Sequence, residues 1–351
     1  MESLLRDLVD IESLTGDEGR VGKHLAGVLR AKGLTVELLT IAPGSPRANV
    51  YAYLGDVREA RCLLTTHIDT VPPFIPFTGP DAEGKVYGRG TCDAKGAAVA
   101  MIEAAERLIA AKEVKPGDLA LLFVVGEEVD GVGMKAASEL GLRWESIAFG
   151  EPTDSKLALG HKGILLLRLQ SQGHACHSGY PHLGHSANHT LVTLLASILA
   201  DILKLEFPRD PRLGPSSVNV GTISGGEAPN ILSPFASATV SIRVSCEFDA
   251  VKRETLALIG RHPEVSYEIV AEYPPPNIQS SVPGFDTINV GFGTDIPFLK
   301  YHDGPEVRKY LYGPGSIFLA HTANEHVALA DLEACADGYS RLVLHCLSTK
   351  P

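Results

Sequence analysis

Apolar residues recur at helical spacing over residues 2–13 and 17–32, and the second run opens near Thr15 and Asp17 and closes at Gly33, which predicts two leading helices. The period then changes. Residues 34–41 and 49–54 alternate or are rich in β-branched side chains, and Cys62-Leu-Leu-Thr-Thr-His67 reads as a buried strand. An alanine-rich helix follows Gly96 and runs to about Lys112, and Asp118-Leu-Ala-Leu-Leu-Phe-Val-Val-Gly126 predicts another buried strand. Strand, helix, strand is the rhythm of an α/β domain.

A different texture begins near Gly163. Residues 164–170 alternate, a helix is predicted from about Asn188 to Leu205, alternation returns at 217–223 and 236–245, and a helix at 249–260 precedes a strand at 265–270. Two strand–helix–strand groups predict a small antiparallel sheet with helices on one face. Tyr273-Pro-Pro-Pro-Asn277 reads as a linker, after which apolar segments at 297–299 and 316–319 and a helix at 329–348 resume the first pattern. The expected organisation is an α/β domain over 1–162 and 275–351, interrupted by an α+β insertion over 163–274.

Length and composition agree with this division, because 351 residues suggest two domains and 44% hydrophobic with 21% charged residues is ordinary for a folded chain. A net charge of −11 without a Lys/Arg-rich run argues against a nucleic-acid partner. The acidic, amphipathic N-terminus is unlike a secretory signal, and no apolar stretch approaches the roughly 20 residues of a membrane span. Six cysteines without a C-x-x-C pattern fit reduced thiols, so the expectation is a cytoplasmic protein with no membrane partner.

Chemistry gathers where the predicted strands end. His67 closes the first buried strand with Asp69 two residues on, a spacing that serves either a metal ligand with its orienting carboxylate or an ordinary strand-end histidine. Asp93 stands among glycines in Gly88-Arg-Gly-Thr-Cys-Asp93-Ala-Lys-Gly96 just before a helix, which suits a bridging ligand or a helix cap. Glu127 and Glu128 follow the second strand directly; one could bind metal while the other moves protons, or both could form a solvated acidic turn. Glu151 follows the apolar segment 146–149, and His321 lies in a late loop after Ile317. Two imidazoles and several carboxylates, without thiolates, suit two zinc ions with cobalt or manganese as substitutes.

In this order, Thr66-His67-Ile-Asp69, Gly88–Gly96 around Asp93, Gly126-Glu127-Glu128, Glu151-Pro-Thr, Gly173-His-Ala-Cys-His177-Ser and the His321 loop, the chain resembles the dinuclear zinc family that includes acetylornithine deacetylase, succinyl-diaminopimelate desuccinylase, aminoacylase and the glutamate carboxypeptidases. The resemblance implies a zinc-peptidase-like α/β domain with a central mixed sheet and a ferredoxin-like insertion, residues 163–274, acting as lid and homodimer contact. It implies His67 and Glu151 on one zinc, Glu128 and His321 on the other, Asp93 bridging, Glu127 as general base and Asp69 orienting His67. His177 would steady the oxyanion in a partner's site, Asn230 and Arg243 would hold the substrate carboxylate, and Thr294 would touch substrate. The implied substrate is a small N-acyl amino acid or short peptide. The loop Gly291-Phe-Gly-Thr-Asp295 leans toward deacetylases such as that for N-acetylornithine, with Asp295 a candidate for attracting a cationic side chain. The additional His174, His182, His185 and His189 read as scattered polar residues rather than another metal site. A binding protein without catalysis and a dehydrogenase are the rival classes; the second lacks the G-x-G-x-x-G fingerprint.

Overall fold

A computed structural model describes residues 1–202, 212–300 and 306–349. The amphipathic N-terminus forms α1 (Glu2–Asp10) and α2 (Gly19–Ala31), which bury Leu5, Leu8 and Val9 on the first and Val21, Leu25 and Leu29 on the second. The first helix ends at Asp10 rather than near residue 13 because the following residues have other partners. The Asp10 carboxylate accepts from the Phe77 N–H at 2.8 Å, and the Ser13 hydroxyl donates to the Ile68 carbonyl at 2.9 Å.

The chain continues through β1 (Thr35–Thr40), β2 (Ala48–Tyr53), β3 (Cys62–His67), β4 (Lys85–Tyr87), α3 (Lys95–Ala110), β5 (Leu119–Val124), α4 (Val132–Ser138), β6 (Ser146–Phe149) and β7 (Leu157–Ala158). After the insertion come β12 (Thr287–Ile288), β13 (Arg308–Leu311), β14 (His326–Ala328) and α7 (Leu329–Ser348). Six strands form one mixed sheet in the order β1-β2-β5-β3-β6-β13. The first two junctions are antiparallel, and β5, β3, β6 and β13 are mutually parallel. Their carboxyl ends therefore share one edge, where open α/β sheets place ligands.

Two late segments depart from expectation. The strand before the His321 loop is β13, whereas Ser316 makes only an isolated bridge to Thr153, residues 317–319 are turns and 297 lies in a short 3₁₀ helix, Ile296–Phe298. The apolar run at 316–319 misled the pattern because it is not all core: Phe318 is 85% exposed.

Helix α7 carries Gly338 in its interior, where glycine costs about 1 kcal/mol relative to alanine. A Cβ at that position would stand 1.9 Å from the Tyr312 hydroxyl oxygen. Tyr312 is buried, with edge-on ring contacts to Tyr339 at 5.1 Å and Phe285 at 5.4 Å between centroids. Overpacking outweighs propensity here, so Gly338→Ala is expected to destabilise the protein by about 1–3 kcal/mol. A raised thermal midpoint would contradict this.

Compact units comprise Met1–Leu159 with Asn277–Ile288 and Thr294–Pro351, and Gly160–Pro276 with Asn289–Gly293. In the second, β8 (Gly163–Gln172), α5 (Ala187–Asp201), β9 (Ser217–Gly225), β10 (Phe235–Val244), α6 (Phe248–Ile259) and β11 (Val265–Tyr273) form an antiparallel sheet in the order β11-β8-β10-β9. This is the ferredoxin-like βαββαβ arrangement. Leu165, Leu167 and Leu169 from β8 and Val240, Ile242 and Val244 from β10 join Leu191, Leu194 and Ile198 from α5 in its core. Strand β11 extends through Tyr273, shortening the expected linker, and the expected helix residues 203–205 lie outside the described residues.

Within this unit His161 is 2% exposed, with Nδ1 at 2.9 Å from the Lys162 carbonyl oxygen. Burial, opposed by that carbonyl and assisted by the Arg243 charge, pushes its pKa from 6.5 down to about 4. An unfolded chain takes up this proton below pH 6.5 while the folded one does not, so the histidine's contribution to stability is lost as pH falls toward 4. The expected loss reaches about 3 kcal/mol. Urea unfolding of wild type and His161→Gln at a series of pH values should show a shallower slope for the variant; parallel slopes would remove His161 from the account.

Candidate metal centre

Each parallel strand delivers one part of the centre. His67 is the last residue of β3, Glu127 and Glu128 lie just beyond β5, Glu151 lies two residues beyond β6, and the loop carrying His321 follows β13. Asp93 comes from the turn that opens α3. Two groups have ligand atoms within 4.8 Å of one another: His67, Asp93 and Glu151, and Asp93, Glu128 and His321. Asp93 belongs to both. Its Oδ1 is 3.1 Å from His67 Nε2 and its Oδ2 is 3.3 Å from His321 Nε2, while His321 Nε2 is 3.1 Å from either Glu128 oxygen.

The ring of His67 is oriented by the backbone carbonyl of Asp69, 3.0 Å from Nδ1. The expected orienting carboxylate is farther away, with Oδ1 at 3.5 Å. The carboxylate also accepts the Glu127 and Glu128 N–H groups at 3.1 and 3.2 Å and the Thr15 hydroxyl at 2.8 Å. An Nδ1–H donated to a carbonyl leaves the Nε2 lone pair directed at the cluster, as in a metal-binding histidine. The Asp69 carbonyl is thus the nearer partner of the imidazole, and the carboxylate, 3.5 Å from the same Nδ1, also holds the two-glutamate turn.

His321 has φ 63°, a left-handed conformation uncommon for a residue with a side chain. Close backbone packing supports its loop. A Cβ on Gly313 would stand 2.3 Å from the Glu151 carbonyl oxygen, so only glycine lets this strand end pass over Glu151. The Gly313 N–H donates to Thr153 Oγ1 at 3.0 Å, and the Asp154 and Ser155 N–H groups donate to the Gly315 and Gly313 carbonyls at 2.8 and 2.9 Å. Glu151 and the His321 loop are held together in this way.

Charge is the main property of the cluster. Burial first, then the negative charges of neighbouring acids, raises Glu127 and Glu151 well above the usual carboxylate range. Burial alone would lower His67, but Asp69, Asp93 and the charges of Glu151 and Glu127 raise it well above 6.5. Asp93 and Glu128 raise His321 to about 10. Asp93 itself is lowered, because the two imidazoles outweigh its burial. A cluster that captures protons to neutralise its own acids has the charge deficit that divalent cations relieve, and its oxygen and imidazole donors suit such ions. On donor chemistry and convergence, the residues fit metal.

The remaining sequence-predicted residues divide between the units. In the second unit, His177 and Asn230 lie exposed on neighbouring backbone segments: His177 bridges Ile231, and the Ser178 N–H donates to the Asn230 carbonyl at 2.8 Å. Arg243 is on β10, out of phase with the buried Ile242 and Val244 and so on the sheet face opposite the helices. In the first unit Thr294 is 6% exposed and its hydroxyl accepts from the Ile296 N–H at 3.2 Å. Asp295, read from sequence as a lure for a cation or a solvated acid, is 4% exposed, and burial pushes its carboxyl up to about 7. Among the described residues, the additional histidines form no metal-compatible group; His185 Nε2 instead lies 2.8 Å from Thr190 Oγ1.

Sequence reasoning gave no role to Arg89 or Glu325. Both are buried, paired at 2.5 Å between Arg89 Nη1 and Glu325 Oε2, and packed against the Asp93 turn. The available signals were an arginine inside a glycine-rich turn and a glutamate four residues beyond His321.

Comparison with known proteins agrees with this geometry. The chain is 43% identical over 349 residues, 98% of its length and 84% of the relative's, to a peptidase M20 domain-containing protein of Schizosaccharomyces pombe. It is 40% identical over 371 aligned residues, 97% of the chain and 85% of the relative, to an Aspergillus terreus protein named "Probable carboxypeptidase". Among solved structures it is similar to a tripeptidase of Staphylococcus aureus, with TM-score 0.80, 20% identity and coverage of 99% and 98% of the two chains. It is also similar to a dinuclear metal binding peptidase of Bacillus subtilis, with TM-score 0.71, 12% identity and coverage of 99% and 98%. The profile of Peptidase family M20/M25/M40 matches residues 63–345, a span that holds every residue of both ligand groups, and the chain belongs to that family.

Proposed function

We propose that this metallopeptidase-family hydrolase cleaves the amide bond of short peptides beside a free carboxylate, as a carboxypeptidase or dipeptidase, using two zinc ions for which cobalt or manganese can substitute. The observation that carries the reading is the pair of ligand groups joined through Asp93, with Glu127 beside them but in neither. His67 and Glu151 would hold one ion, Glu128 and His321 the other, with Asp93 between. When bound, the ions supply Lewis-acid polarisation of the amide carbonyl and acidification of water.

The protein's own residues do the rest. Glu127 accepts the proton of the attacking water and returns it to the departing nitrogen, acting as base and then acid. The Asp69 carboxylate holds the Glu127 backbone in place for both steps. Across the proposed homodimer His177 would steady the carbonyl oxygen in the partner's site as it becomes an oxyanion, and Asn230 and Arg243 would receive the substrate carboxylate, for which the guanidinium fork is well suited. In this reading the second unit is the lid and the contact of a homodimer. Exposed Val192 and Leu199 on α5 and Ile223 on β9 support such a contact. Thr294, whose hydroxyl accepts the Ile296 N–H, would touch substrate from the Gly291–Asp295 loop.

Deacetylation of N-acetylornithine is the second reading, carried by the resemblance of the ligand motifs, but burial of Asp295 removes its one residue-level argument for a cationic side chain. Zinc-, cobalt- or manganese-loaded protein should be assayed on dipeptides, tripeptides, N-blocked peptides with free carboxyl termini, N-acetylornithine, N-acetylcitrulline and N-succinyl-diaminopimelate, with a chelated control. Chelator-sensitive cleavage of the peptides supports the proposal. Activity confined to the N-acyl amino acids would replace it with deacylation, and silence across the metal-loaded panel would reject both.

A further inference from the structure

We infer that Glu325, with Arg89, is a positioning residue that sets how tightly the centre holds metal, by clamping the Asp93 turn to the His321 loop. The inference rests on the metal-centre reading above. Glu325 Oε1 accepts three backbone N–H groups, from Gly90 at 2.8 Å, Asp93 at 3.1 Å and Cys92 at 3.2 Å. Its Oε2 accepts from Arg89 Nη1 at 2.5 Å, and its backbone carbonyl accepts the Gly88 N–H at 3.1 Å. Residues 88–93 therefore curl around one carboxylate.

Arg89 completes the link from the other side. The same Nη1 donates to the Thr322 carbonyl at 3.2 Å, one residue past His321, and Nε donates to the Pro73 carbonyl at 3.3 Å. One clamped segment presents Asp93 and the other presents His321, whose side chains stand 3.3 Å apart and share a ligand group with Glu128. These two ligands are distant in sequence; the β4–β14 pairing brings their segments side by side, and beyond the end of that ladder the Glu325–Arg89 pair ties the Asp93 turn to the His321 loop.

The physical consequence is preorganisation. A chelating group whose ligands are already fixed loses less conformational freedom on capturing an ion than one whose loops must first be ordered. Arg89 also matches the charge of Glu325, so a second buried carboxylate can stand behind Asp93 without adding a net negative charge. Both oxygens of Glu325 are taken up by Arg89 and the backbone N–H groups, and the residue belongs to neither ligand group, which makes it a support behind the ligands rather than a ligand.

Full-length Glu325→Gln, Glu325→Ala and Arg89→Lys proteins should be compared with wild type by zinc competition against a chromophoric chelator and by the visible spectrum of the cobalt-loaded protein. Glu325→Gln is expected to bind zinc about 10–100-fold more weakly, the range for loss of a partner that orients metal ligands. Its cobalt bands should shift. Glu325→Ala should lose more, and Arg89→Lys, which keeps a cation beside Oε2 and all three N–H bonds to Oε1, should lose less. Circular dichroism of the metal-free proteins separates this role from general stability. Variants that melt earlier but bind zinc and cobalt as wild type does would overturn the clamp alone. Wild-type protein that takes up no cobalt would overturn the metal centre and the clamp with it. If Glu325→Gln does not fold, wild-type affinity and cobalt spectrum in folded Arg89→Met would overturn the inference, and weakened binding with shifted bands would sustain it.

Discussion

Glu127→Gln is expected to lower kcat by about 10²–10⁴-fold, the contribution typical of a positioned proton-transfer group, while the protein keeps its full metal content. Gln preserves the shape and the backbone N–H that Asp69 accepts, but it cannot take a proton. The carboxyl of Glu127 has a high proton affinity, from burial first and then from the charges of Asp295, Glu128 and Asp93, against the opposing effect of His67. Such a group can receive a proton from water and later release it to an amine. The comparison requires turnover on whichever peptide wild type cleaves, together with zinc content of the same preparations. Near-normal turnover would remove the proton-transfer role, and loss of zinc with activity would make Glu127 a ligand instead.

Asp93→Ala is expected to strip both ions, because Asp93 is the member common to the two ligand groups. The loss of affinity should exceed the roughly 10–100-fold that follows removal of an orienting partner, and hydrolysis should fall to the metal-free level. His321→Ala provides the contrast: it belongs to one group only, so His67, Asp93 and Glu151 remain to hold one ion. Elemental analysis after equilibration with stoichiometric zinc would read two, one and none for wild type, His321→Ala and Asp93→Ala. An Asp93→Ala protein that retains two ions would show that this carboxylate is not shared.

Sequence pattern located the strand ends well, because β3 and β5 are fully buried and the chemistry stands at their ends, His67 as the last residue of one and Glu127 with Glu128 shortly beyond the other. Buried strands leave continuous apolar runs, and function begins where the run stops. The late segments were less legible. Ile317, Phe318 and Leu319 are as apolar as a strand, but they belong to a turn-rich loop whose path is set by pairing with residues 153–155, far away in the chain. Asp69 shows a different limit: the spacing His67-x-Asp69 identified the partner, but a sequence does not say whether a carbonyl or a carboxylate does the orienting. Arg89 and Glu325 were hidden because a charged pair becomes informative only when both members are known to be buried together.

The insertion begins and ends in adjacent strands, with Ile164 on β8 opposite Tyr273 on β11. For the surrounding α/β unit, more than a hundred intervening residues are thus closed off as a hairpin loop would be, and loop length by itself adds little entropic cost. Natural selection can therefore treat the inserted module as a cassette: its surface can be resized, recharged or exchanged without reopening the mixed sheet, whose strand ends carry the two candidate ligand groups under a stricter geometric constraint.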